Sequence, residues 1–160
     1  MSHMKSLFQL SILALFWALM ATGNAAAAEE GANHNTAGGL SIYLGVLPAA
    51  MIQGAHPPDH PEAEMHDGIP SGRHAYHITA ALFDVETGER VEKAEIDASV
   101  APLGLSATSR RLEPMEIADT VTFGNYFTMR RDGEYQIALS ITPEDADEPV
   151  TVEFSYIHRN

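Results

Sequence analysis

The stretch Tyr76-His77-Ile78-Thr79-Ala80-Ala81-Leu82, followed by Glu86-Thr87-Gly88-Glu89 and then Ala94-Glu95-Ile96-Asp97-Ala98-Ser99-Val100, decides the fold. In both halves apolar residues recur at every second position. Side chains alternate between the faces of an extended chain, so a period of two marks strands buried on one side. Tyr76, Ile78, Ala80 and Leu82 share one face of the first half. Ala94, Ile96, Ala98 and Val100 share one face of the second, against Glu95, Asp97 and Ser99. The polar segment with Gly88 between them reads as a turn.

The alternation continues outward from this pair. Leu40 to Leu47 reads as a strand upstream, and Leu105 to Leu112 as a weaker one downstream. Val121, Phe123, Asn125, Phe127 and Met129 share a face of the next. After the turn Asp132-Gly133 come Tyr135, Ile137, Leu139 and Ile141, then Val150, Val152, Phe154, Tyr156 and His158. About seven strands at this spacing, with no convincing helix among them, predict an all-β fold. The expected architecture is a single immunoglobulin-like antiparallel β-sandwich over residues 40–160.

The N-terminal part reads differently. Lys5, the apolar run Leu7 to Met20 and the small residues Ala26-Ala27-Ala28 have the pattern of a secretory signal peptide over residues 1–28. The expected location is therefore the periplasm. Residues 29–39 are polar and rich in Ala and Gly, and read as a flexible leader. Residues 48–72 read as a long loop, with Pro57, Pro58, Pro61 and Pro70 interleaved with His56, His60 and His66. Loops of that length are usually functional or disordered.

Composition narrows the function. The chain has 160 residues, enough for one domain, and 22 acidic residues against nine Lys and Arg give a formal charge of −13. Such a protein repels phosphate backbones, so nucleic acid is excluded as a partner, while cations and basic surfaces are favoured. There are no cysteines. That removes thiolate nucleophiles, thiolate metal ligands and blue-copper sites. No G-x-S-x-G, H-E-x-x-H or P-loop pattern is present, and no enzyme activity is expected. What remains is His and Met chemistry. Imidazole with thioether suits copper, above all Cu(I), while His with carboxylate admits iron, zinc or Cu(II). The candidate metal ligands are His77, His74, His66 and His158, while Met115, in a Pro-Met corner, reads from its chemistry alone as a packing residue. His74 and His77 are three apart, so a regular strand sends them to opposite faces. His158 continues the apolar face of the last strand. The competing expectation is a metal-free interaction module or assembly chaperone, since sandwiches host many functions.

The segment Pro114-Met115-Glu116-Ile117-Ala118-Asp119-Thr120-Val121-Thr122-Phe123-Gly124-Asn125 resembles a known motif. It is similar to the Pro-Met…Asp…His-Tyr-Gly stretch of the periplasmic iron-transport proteins that accompany an inner-membrane iron permease. The resemblance implies a cysteine-poor immunoglobulin-like sandwich that binds copper, assists iron uptake and often forms a homodimer. It implies that Met115 matches the family's Met and that His77 matches its strand His. Phe123 and Gly124 match the aromatic-Gly pair. Thr122 stands where the family has a second His, and Thr79 where it has a Glu. The expected function is a periplasmic protein that captures or delivers copper or iron beside an inner-membrane transporter.

Overall fold

The computed structural model describes residues 33–55, 68–117 and 119–159. The strands are β1 (His34–Ala37), β2 (Leu40–Pro48), β3 (Ala75–Asp84), β4 (Ala94–Pro102), β5 (Thr108–Ile117), β6 (Thr120–Thr128), β7 (Gly133–Pro143) and β8 (Val150–His158). The helix α1 (Ala49–Ala55) follows β2. All the strand pairs are antiparallel, in the order β1-β2-β3-β6-β5-β4-β7-β8.

The sheet becomes two layers because β5 belongs to both. Residues 108–112 pair with β4, from Ile96↔Leu112 to Val100↔Thr108. Residues 113–117 pair instead with β6, from Glu113↔Gly124 to Ile117↔Thr120. One layer is therefore β1-β2-β3-β6 and the other β4-β7-β8, joined along β5. The outer edges also meet: the Asn35 side-chain amide donates to the Glu153 carbonyl at 3.2 Å. Gly38, with φ +55°, lies so close to Val150 that a Cβ there would collide with its side chain.

The alternating residues fill the space between the layers. Ile42, Ile78, Leu82, Phe123, Ile96, Ile137, Leu139 and Ile141 are fully buried in one continuous core. The all-β antiparallel sandwich follows from the pattern that predicts it. Among the described residues there are eight strands, because β1 lies inside the stretch read as a leader. Two further differences concern irregular segments. The seven-residue α1 occupies the beginning of the stretch read as loop. The weak strand expected to end at Leu112 runs on to Ile117, so Pro114 and Met115 lie within it.

Candidate metal centre

β3 turns Tyr76, Ile78, Ala80 and Leu82 into the core, which leaves His77 and Thr79 on the outer side of the layer. On β6, Phe123 and Phe127 face inward, so Gly124 and Tyr126 face outward. Tyr126 is the register partner of His77, and Gly124 that of Thr79. On β5, Glu113 pairs with Gly124 and Met115 with Thr122, which puts Glu113 and Met115 on the same outer side.

An outward side chain is normally solvated, yet His77 and Met115 are 7% and 3% exposed. Both lie outside the main core cluster. The His77 ring stacks on Tyr126, with centroids 4.5 Å apart and planes 25° apart. Both residues also lean over Gly124. A Cβ placed on Gly124 would stand 2.6 Å from Met115 Cε and 2.7 Å from His77 Nε2. The absent side chain thus leaves a hollow into which an imidazole nitrogen and the end of a thioether converge. Thr79 faces the other way. Its hydroxyl sits over Gly45 on β2, in the place a Cβ of Gly45 would take.

The other candidates do not join this pair. His158 is fully buried in the core, edge-on to Tyr76 and Tyr135 at 4.9 and 5.7 Å. Its Nδ1 lies 2.7 Å from the Arg131 carbonyl, which only accepts, so Nδ1 carries the proton. Tyr76 and His77 point to opposite sides of β3, so the strand separates His158 from the hollow. His74 precedes β3, and its Nε2 accepts from the Arg73 guanidinium at 3.1 Å. Three residues from His77, it starts from the other side of the chain. His66, with His56 and His60, lies outside the described residues. Among the described residues no three His, Asp or Glu side chains converge as a metal-binding group.

Two residues beside the hollow, Glu113 and Tyr126, went unread in the sequence, and Gly124 was named only through the resemblance. All three owe their place to cross-strand register, which a single strand does not reveal. The one local signal was the spacing of two between Glu113 and Met115, had that stretch been read as extended.

Known structures share this architecture. A DUF4426 family protein from Pseudomonas aeruginosa superposes with a TM-score of 0.61 at 13% identity, over 78% of this chain and 92% of that one. FetP from uropathogenic Escherichia coli strain F11 gives 0.57 at 20% identity, over 79% and 94%. The copper-reconstituted P19 protein from Campylobacter jejuni gives 0.58 at 14% identity, over 78% and 92%. This chain has the fold of FetP and P19. The resemblance read from its Pro-Met…Phe-Gly segment therefore holds at the level of fold. No family model matches the sequence. No curated protein matches it either.

Proposed function

We propose that this is a periplasmic copper-binding protein that holds its ion at His77 and Met115 and passes it on, without turnover of its own. The observation that supports this is the convergence of His77 Nε2 and Met115 Cε over the bare backbone of Gly124. An imidazole with a thioether is a soft donor pair, the combination that favours Cu(I) over magnesium, calcium or manganese. Shared fold with FetP and P19, whose structures include copper-bound forms, points to the same metal. The signal-peptide pattern of residues 1–28 supports the periplasmic location. Copper is cargo here, and a site with so few protein donors suits exchange better than permanent burial. Iron is the second cargo on this reading, an inner-membrane transporter the recipient, and a homodimer the working form. These three rest on the family resemblance.

Met115→Leu tests the assignment, since it keeps the side-chain volume nearly constant and removes the sulfur. In an anaerobic competition titration with a Cu(I) chelator, the variant is expected to bind at least about a hundredfold more weakly. Unchanged affinity in a folded variant contradicts the role of Met115.

A further inference from the structure

Glu113 stands across the hollow from Thr79. Its Cα is the register partner of Gly124 on β5, as that of Thr79 is on β3. The three residues form one row over three strands, with the glycine in the middle. Glu113 is two residues from Met115 on the same strand, so both leave the same face. That face is the outer one, because Phe123, in register with Pro114, is buried in the core. Neighbouring strands are ~4.8 Å apart, a gap that the two methylenes of a glutamate span. Its carboxylate is therefore within reach of the space over Gly124 where His77 and Met115 converge. From the β3 side no such donor arrives, since the Thr79 hydroxyl lies over Gly45.

We propose that Glu113 completes His77 and Met115 into an imidazole–thioether–carboxylate set that takes Cu(II) as well as Cu(I). This deepens the copper-carrier reading and rests on it. Cu(I) is soft and is served by the thioether and imidazole. Cu(II) is harder, carries one more charge and prefers nitrogen and oxygen donors. The carboxylate is thus required for the oxidised ion and dispensable for the reduced one.

The test is Glu113→Gln, titrated aerobically with Cu(II) and anaerobically with Cu(I), with electron paramagnetic resonance of the Cu(II) form. Glu113 is exposed, and glutamine keeps its size, so the variant folds. The expected result is at least about a tenfold loss of Cu(II) affinity, a changed copper hyperfine pattern, and unchanged Cu(I) affinity. Unchanged Cu(II) affinity and spectrum overturn the proposal. Equal loss for both ions also overturns it, because it marks Glu113 as a structural support. A wild-type protein that binds Cu(I) but holds Cu(II) no better than a His-containing peptide overturns the Glu113 assignment alone. A wild-type protein that binds neither ion overturns the carrier reading with it.

Discussion

Gly124 gives the hollow its room. Its φ is unexceptional, so left-handed backbone is not the reason for a glycine here. The reason is steric: any Cβ would come within 2.6–2.7 Å of Met115 Cε and His77 Nε2. Contacts that short force one side chain to move. Gly124→Ala is expected to leave the far-ultraviolet circular dichroism unchanged and to weaken Cu(I) binding by about tenfold or more, through displaced donors. A variant with wild-type affinity shows that the convergence over Gly124 is not the binding geometry. Thr79 and Thr122 carry hydroxyls where the resembled family has Glu and His. With those donors absent, the proposed site depends on His77, Met115 and Glu113. The outward direction of His77 was legible from strand parity alone. The importance of Gly124 was not, because it depends on which residues of β3 and β5 flank it.

The element that builds the site is β5. It leaves β4 at Leu112 and joins β6 at Glu113, and this change of partner sets Met115 beside the hollow. The same change explains why sequence periodicity failed there. Leu112 is buried inward, Pro114 is exposed, and Met115 is buried on the outer side, so no single face carries the apolar residues. β1 (His-Asn-Thr-Ala) was hidden for a different reason: it is held by main-chain pairing with β2 rather than by burying large side chains. By contrast β4, β7 and β8 alternate apolar with mostly polar positions, and β3 and β6 keep a regular apolar inward face, so their alternation shows them directly. The β3–β4 turn also has a legible cause. The Asp84 carboxylate accepts from Thr87 N at 2.7 Å, Thr87 Oγ1 at 2.9 Å and Glu86 N at 3.0 Å. These bonds, that from the Thr87 backbone foremost, hold its carboxyl below the ordinary value. A lowered folded-state pKa stabilises the native protein above the unfolded value and is lost as pH falls through the folded one. Asp84→Ala is therefore expected to lower the melting temperature at pH 7. The gap to wild type should narrow as pH drops below about 4. A gap that stays constant down to pH 2 contradicts the turn's dependence on the charged form.

At the scale of the molecule, the β3 layer separates two histidine environments. His158 lies within the sandwich between Tyr76 and Tyr135, and His77 lies outside it on Tyr126. One is a core residue and the other a candidate ligand. His158→Ala leaves a cavity and is expected to cost ~3 kcal/mol of stability in a denaturant titration, with Cu(I) affinity unchanged. Loss of copper binding in a folded His158→Ala protein contradicts that separation. The most direct test of the proposed copper site is X-ray absorption at the copper edge, on the protein loaded with one equivalent of Cu(I). The expected spectrum has both sulfur and imidazole nitrogen scattering, and the sulfur contribution disappears in Met115→Leu. A shell of nitrogen and oxygen alone, unchanged by Met115→Leu, contradicts the His77–Met115 site and places the ion on other donors.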